Sequence, residues 1–74
     1  MKKHDAVKRP AHYTVGGIEV RDFIVAKRLG WNRGSAVKYI ARAGLKDPAK
    51  EIEDLEKAVC CLEHEIAWLK KGVK

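Results

Sequence analysis

Apolar side chains recur at alternating spacings of three and four residues along the C-terminal third of the chain. They are Ile52, Leu55, Val59, Leu62, Ile66 and Leu69. This heptad-type pattern is typical of a long packed helix. Asp47 suits the N-cap of that helix, Pro48 its first position, and Gly72 its C-terminal end. The pattern therefore predicts one long helix that begins after Asp47 and continues to Lys71.

Two shorter helices precede the long one in the predicted fold. Residues 18–29 have a helical pattern, which Gly30 can end. A short connection follows, with Asn32 or Ser35 as N-cap, before a second helix that is predicted to stop at Gly44. We therefore expect an all-α fold in which two short helices pack along one long C-terminal helix.

The length of the chain favours self-association. A chain of 74 residues is near the size at which a single core gives only marginal stability without metals, disulfides or partner subunits. A second apolar stripe lies off the heptad positions of the long helix: Cys60, Cys61, Ala67 and Trp68. We interpret this stripe as an interface, and expect a homo-oligomer formed through the long helix.

The chain divides into a flexible basic leader, residues 1–11, and a single helical domain, residues 12–74. It contains no apolar run long enough to span a membrane and no signal-peptide pattern. Cys60 and Cys61 point about 100° apart on a helix, so they are expected to be free thiols in a reducing cytoplasm. Because this pair and the three histidines lack the usual ligand spacings, no metal site is predicted.

Positive charge is concentrated in the first two thirds of the chain. Residues 1–47 contain eleven Lys and Arg against four Asp and Glu, whereas residues 48–74 contain five against six. Lys38, Arg42 and Lys46 follow one another at spacings of four on the predicted second helix. With Arg33, the Ser35 hydroxyl and the free N–H groups at the helix start, they predict an anion site.

Aromatic residues and glycines accompany this basic stripe. His12 and Tyr13 lead into Gly16 and Gly17, which allow either a tight turn or close approach of the backbone to a ligand. Tyr39 lies beside the basic stripe. These rings are candidates for stacking on a base.

Three segments resemble a family of small phage proteins of unknown function that are often labelled nucleotide kinase-like. The segments are HYTVGGIEVRDFI, GSAVKYIARAG with the following Lys46, and EDLEKA. The resemblance implies a helical phage protein that handles nucleotides in the cytoplasm of an infected bacterium. The matching candidate positions are His12, Tyr13, Gly16, Gly17, Glu19, Lys38, Tyr39, Arg42, Lys46 and Asp54.

The first functional hypothesis is nucleotide binding. Lys38, Arg42, Lys46 and Arg33 would neutralise phosphates, the aromatic rings would stack on a base, and Glu19 or Asp54 would accept hydrogen bonds from base or ribose. No cofactor is required for binding. Such a protein would sequester a nucleotide signal, such as a cyclic nucleotide, and so act as a sponge that counters host defence.

Two alternatives remain open. The resemblance implies phosphotransfer to nucleoside monophosphates, for which Mg²⁺ would be held by acids such as Glu19, Asp22, Glu53 and Asp54. The chain has no GxxxxGK[ST] loop to cradle phosphates. The third hypothesis is a DNA-binding module, which the basic N-terminal part favours and the narrowness of the basic stripe opposes.

Overall fold

The computed structural model describes residues 11–72, which form three α-helices and three short 3₁₀ turns. The helices are α1 (Val20–Ala26), α2 (Gly30–Arg42) and α3 (Glu51–Lys71). The 3₁₀ turns are Ala11–Tyr13, Val15–Gly17 and Pro48–Lys50. The all-α fold is confirmed, with the long C-terminal helix packing against two shorter ones. Of the predicted leader, all but Ala11 lies outside the described residues.

The ends of α3 form as the sequence predicts. The Asp47 carboxylate accepts a hydrogen bond from the Ala49 N–H at 3.0 Å, and Pro48 occupies the first turn. One 3₁₀ turn precedes the regular helix, which starts at Glu51. At the other end Gly72 takes the left-handed conformation, with φ 75°, and its N–H donates to the Leu69 carbonyl.

The predicted bounds of the first two helices are wrong in detail. Helix α1 starts at Val20, after Glu19 caps it by accepting from the Asp22 N–H, and it ends at Ala26 rather than at Leu29. Arg28 already has a left-handed φ of 54°, so the backbone leaves the helical path before it reaches Gly30. Helix α2 then begins at Gly30. Neither Asn32 nor Ser35 is an N-cap, because both lie within α2.

Helix α1 packs closely against α2 at a single glycine. A Cβ atom added to Gly34 would lie 2.7 Å from the Ile24 Cγ2 atom, which is closer than two carbon atoms can pack. Gly34 itself is buried within α2. The absence of a side chain there is what allows the Ile24 side chain to rest on the backbone of α2.

The interface between α2 and α3 combines small apolar residues with polar contacts. Ala36 and Ala58 are the buried hydrophobic residues of the described chain, and such small residues allow two helices to approach closely. Towards the start of α2 the Glu65 carboxylate accepts hydrogen bonds from Asn32 at 3.3 Å and Arg33 at 2.9 Å. Every buried side-chain nitrogen or oxygen in residues 11–72 has a hydrogen-bond partner.

The heptad positions of α3 do not form the internal core. Their side chains, the apolar seam of Ile52, Leu55, Val59, Leu62, Ile66 and Leu69, remain between 42% and 73% exposed. The face of α3 that meets α2 instead carries the buried residues Asp54, Ala58 and Glu65, at spacings of four and seven. That face is turned by about 100° from the apolar seam. The heptad pattern therefore predicts the helix correctly but does not identify the face of the helix that packs against α2.

The second predicted stripe, Cys60, Cys61, Ala67 and Trp68, is not the main exposed apolar surface of α3. Cys61 is partly covered within the chain, whereas Cys60 and Ala67 are exposed and Trp68 is 48% exposed. The apolar seam is the longer and more continuous exposed surface of α3. In an association through this helix, burial of the apolar seam would remove the most apolar surface of α3 from water.

Replacing Gly34 by Ala tests the α1–α2 contact. In a helix interior this change normally stabilises by about 1 kcal/mol. Here the added methyl group would strike Ile24, and overpacking of this kind costs roughly 1–3 kcal/mol. We expect G34A to lower the free energy of unfolding measured by denaturant titration.

The double variant I24A/G34A is the matched control. Against an Ile24→Ala background the obstructing Cγ2 atom is gone, so the same Gly34→Ala change should become neutral or stabilising. Destabilisation of equal size in both backgrounds would show that Gly34 is needed for another reason.

Candidate functional site

The candidate site lies where α2 ends and α3 begins, and it is centred on an ion pair. The Asp54 carboxylate accepts hydrogen bonds from Nε and Nη2 of Arg42, at 3.2 and 3.1 Å. Both side chains are largely buried, with 15% of Arg42 and 5% of Asp54 exposed. The Arg42–Asp54 pair therefore fixes the position of a guanidinium group that still has N–H donors to offer.

The N-terminal aromatic residues lie against this guanidinium. Arg42 Nη1 donates to the Tyr13 hydroxyl at 3.5 Å. The Tyr13 ring contacts the His12 ring, with centroids 4.2 Å apart and planes tilted by 54°. The 3₁₀ turn Ala11–Tyr13, which packs on α2, thus brings two aromatic rings to the end of that helix.

Three cations surround the ring of Tyr39. Arg42 lies 4.8 Å from the ring centroid, Lys38 lies 5.5 Å away, and Lys57 lies 5.6 Å away. Each is within the range of a cation–π contact. Positive charge gathered on one ring from two different helices makes this corner of the molecule favourable for an anion.

The same charges affect His12. Burial lowers the pKa of His12 below its ordinary value of 6.5, and the positive charges of Lys46 and Arg42 lower it further against the opposing effect of Asp54. For Arg42, burial acts to lower the pKa, but hydrogen bonds to Tyr13 and Asp54 outweigh it and the pKa is raised. The site at neutral pH therefore combines a neutral imidazole with a fixed guanidinium.

A cleft of about 230 Å³ opens between the end of α2 and the first turns of α3. Its lining residues are Arg42, Lys46, Asp47, Lys50, Glu53, Asp54 and Lys57. The acids are engaged locally: Asp54 with Arg42, Glu53 with Lys57 at 3.2 Å, and Asp47 with the Ala49 N–H. Within the described residues Lys46 and Lys50 form no such pair, so neither ammonium group is held by a carboxylate.

Several predicted site residues meet in this arrangement. His12, Tyr13, Arg42 and Asp54 are joined by hydrogen bonds, ring contact or charge, and Lys46 lines the same cleft as Arg42. Tyr39 and Lys38 belong to the adjoining cation cluster. The role predicted for Asp54 is different here, because the residue is buried and its carboxylate is held by Arg42.

Other predicted residues lie elsewhere. Arg33 pairs with Glu65, nine residues and about 14 Å along α2 from Arg42. Ser35 lies within α2 and lines a separate groove beside Trp31 and Ile24. The Ser35 N–H is therefore not one of the free groups at a helix start, so the anticipated N-terminal anion pocket does not form around it.

The glycine pair and Glu19 have local structural roles. Gly16 and Gly17 both have φ 78°, a conformation that favours glycine, and the space around each is open. The Glu19 carboxylate caps α1 through the Asp22 N–H at 2.9 Å. The backbone conformation accounts for the two glycines and the helix cap accounts for Glu19, and neither requires a ligand.

The sequence-based candidates omit two lysines of the cleft, Lys50 and Lys57. A signal for them exists, because Lys50, Glu53, Asp54 and Lys57 recur at spacings of three, four and seven. This is one polar face of a helix, on the side of α3 roughly opposite to the apolar seam. Within residues 11–72 no group of three or more His, Cys, Asp or Glu side chains is arranged to hold a metal ion. No helix in that part of the chain could cross a membrane.

Comparison with known proteins gives a family. A family model described as DUF3310, a protein of unknown function, matches residues 7–63. The match covers well over half of the chain and includes α1, α2 and the cleft residues of α3. No curated protein and no solved structure matches the chain.

Arg42→Ala tests the ion pair. The change leaves the buried Asp54 carboxylate without its partner, and breaking a buried pair in this way costs roughly 3 kcal/mol of unfolding free energy. The double variant R42M/D54L, which removes both charges, should recover most of that loss. Arg21→Ala, on the exposed side of α1, controls for loss of an arginine, and little change from R42A would contradict the assigned role.

Proposed function

The chain belongs to the DUF3310 family, and we propose that it binds a nucleotide in the cleft between α2 and α3 and holds it without turning it over. The observation that carries the proposal is the pair Lys46 and Lys50 at the cleft, beside the fixed guanidinium of Arg42. Lysine offers a phosphate a point charge and arginine a directed set of donors. A phosphate group would satisfy all three cations at once.

The size of the cleft determines which part of the nucleotide it takes. Sites that enclose a drug-sized molecule usually measure about 300–1,000 Å³, so a cleft of about 230 Å³ suits the phosphate end alone. The base would lie outside, against the rings of His12 and Tyr13, which the Arg42 contact brings to the edge of the cleft. Base and phosphate would then contact separate elements of the fold.

The acids of the site favour holding over phosphotransfer. Asp54 is held by Arg42, Glu53 is paired with Lys57, and Glu19 caps α1. Recruiting these carboxylates to Mg²⁺ would require each to give up an existing contact. The contacts of these acids thus belong to the fold itself. Lys46 and Lys50 form no such contact within the described residues, so they are available to bind the proposed phosphate.

The biological role that we propose follows from the sequence resemblance to small phage proteins. A protein that binds a nucleotide signal, such as a cyclic nucleotide, without consuming it would lower the free concentration of that signal in an infected bacterium. Self-association through α3 is part of this proposal, because the apolar seam of that helix is exposed.

Thermal melting with a panel of mono-, tri- and cyclic nucleotides tests the binding. A ligand at 100 times its Kd adds about 2.7 kcal/mol to the unfolding free energy, which raises the Tm of a small domain by at least about 10 °C. K46Q/K50Q should lose this shift while keeping its helical content. K70Q/K71Q, with the same charge change at the far end of α3, should retain it, and the absence of a shift with any nucleotide would refute the proposal.

Product analysis separates the alternative functions. After incubation with and without Mg²⁺ and a phosphate donor, recovery of the unchanged nucleotide is expected. A phosphorylated or hydrolysed product would favour the kinase-like alternative. Binding of duplex DNA that weakens steeply with salt, through counterion release, would favour the third hypothesis.

The pKa of His12 predicts how stability and nucleotide affinity depend on pH. Because that pKa is lowered in the fold, the contribution of His12 to stability is fully present above pH 6.5 and is lost as the pH falls through the folded pKa. A bound phosphate would neutralise Lys46 and Arg42 and so raise the pKa of His12. The affinity for a cyclic nucleotide, whose phosphate diester does not titrate in this range, should therefore increase as the pH falls from 7.5 towards 6.

An NMR titration of the His12 ring, with and without nucleotide, measures this effect directly. His12→Gln is the matched variant, in which the pH dependence of affinity over this range should flatten. A pKa of His12 that stays the same on saturation would place the phosphate away from Lys46 and Arg42.

A further inference from the structure

The apolar seam of α3 is an exposed surface that the internal packing of the described chain does not explain. Its six side chains alternate spacings of three and four over eighteen residues of one helix, yet all of them are exposed by two fifths or more. A continuous exposed apolar stripe of this kind marks an interaction surface. It extends for about 26 Å, at 1.5 Å per residue.

The residue types on the apolar seam point to a partner helix with the same repeat. In heptad positions, Ile52, Val59 and Ile66 occupy a, and Leu55, Leu62 and Leu69 occupy d. Apolar residues confined to the a and d positions of a repeat are typical of helices that pair in a coiled coil. The regularity is itself evidence about the occupant, because a partner with an unrelated surface would not require a strict heptad.

We propose that the apolar seam binds the apolar seam of a second copy of this chain, with the two α3 helices antiparallel. The charges that flank the seam decide the orientation. At the e positions the first half of α3 carries Glu56 and the second half carries Lys70. In an antiparallel pair Glu56 lies beside Lys70 of the partner subunit, and symmetry forms that contact twice.

A parallel pair brings like charges together at its acidic end, and its one opposite-charge contact, Glu65 with Lys70 of the partner subunit, would compete with the Arg33 pair that already holds Glu65. Glu51, at a g position, would lie beside Glu56 of the partner subunit, again twice. The acidic first turn and the basic last turn of α3 would each lie next to their own copies, and the helix dipoles would be aligned. The antiparallel arrangement removes these repulsions, at the cost of bringing Glu63 close to its own symmetry mate.

One register satisfies the whole apolar seam. With the two-fold axis passing between Cys60 and Cys61, Ile52 meets Leu69, Leu55 meets Ile66, and Val59 meets Leu62 of the opposite helix. Every a residue then packs against a d residue and none is left over. The match is a property of this sequence, because slipping one helix by a heptad would leave two seam residues of each chain without a seam partner.

The fold leaves room for this pairing and keeps the nucleotide cleft open. Ala58 and Glu65, at g positions, are buried beside α2, so α2 occupies only one flank of the seam. The cleft residues Glu53 and Lys57 lie on roughly the opposite side of α3 from the seam. Two chains could therefore pair through α3 with both clefts accessible.

The mass of the full chain in solution, by light scattering or sedimentation over about 1–200 μM, is the first test. We expect twice the chain mass of 8.3 kDa, or a larger even number of chains if pairs assemble further. Leu62→Glu should shift the mass to a single chain. Val25→Glu, the same kind of change at a 69% exposed position of α1, should leave it unchanged.

Charge reversal tests the orientation without removing any apolar side chain. Glu56→Lys should weaken an antiparallel pair by roughly five- to tenfold in Kd, because it places lysine beside Lys70 of the partner subunit at two sites. The double variant E56K/K70E should restore the wild-type Kd. Glu63→Lys, which exchanges one like-charge pair for another on the two-fold axis, is the control for net charge.

The outcomes are distinct even if Leu62→Glu fails to fold. A single-chain mass at every concentration, or an odd number of chains, overturns the pairing. Stronger association of the Glu56→Lys variant, through relief of the Glu51–Glu56 repulsion, overturns the antiparallel orientation. A weakened Glu56→Lys variant that is restored by Lys70→Glu supports both. These results do not depend on nucleotide binding.

Discussion

Two buried carboxylates on α3 determine how this small chain folds. Asp54 pairs with Arg42 and Glu65 pairs with Arg33, so an arginine near each end of α2 holds α3 alongside it. Between the two pairs lie Ala36 and Ala58, which are small enough for the helices to touch. Removing Arg42 would leave the buried Asp54 carboxylate without its charged partner, so this pair is a specific constraint on how α2 and α3 meet.

This use of α3 has consequences for both of its other faces. Because the face towards α2 carries the carboxylates, the apolar seam is turned outward and becomes available to a second copy. On roughly the opposite side, the first turns of α3 form the cleft with the end of α2. The Arg42–Asp54 pair belongs to the interface and to the cleft at once, so the fold itself positions the guanidinium that the proposed phosphate would meet. Lys46 and Lys50, which the fold does not use in this way, are the residues through which binding can be tested separately from stability.

The sequence predicts the elements better than it predicts their packing. The bounds of α3 follow from Asp47, Pro48 and Gly72, because caps act through local backbone chemistry that a short segment contains. The packing face is missed because a heptad stripe predicts burial without identifying what it packs against. Here the face that packs against α2 is set by Asp54 and Glu65, whose arginine partners lie 12 and 32 residues away in the sequence.

For the site, the basic stripe is visible at helical spacing, whereas the contribution of Lys50 and Lys57 depends on how two helices meet. The loop that joins α1 to α2 is misjudged because Arg28 adopts a left-handed conformation that its residue type disfavours.

The central claim is that the junction of α2 and α3 holds a nucleotide through Lys46, Lys50 and Arg42. Chemical-shift mapping tests it most directly: the ¹⁵N-labelled chain is titrated with unlabelled nucleotide and the perturbed amides are assigned. The prediction is a single saturable set of shifts at residues 12–13, 39–50 and the first turns of α3, with the amides near Glu65 unaffected. Shifts confined to the groove beside Trp31 and Ser35, or no saturable shifts, would contradict it.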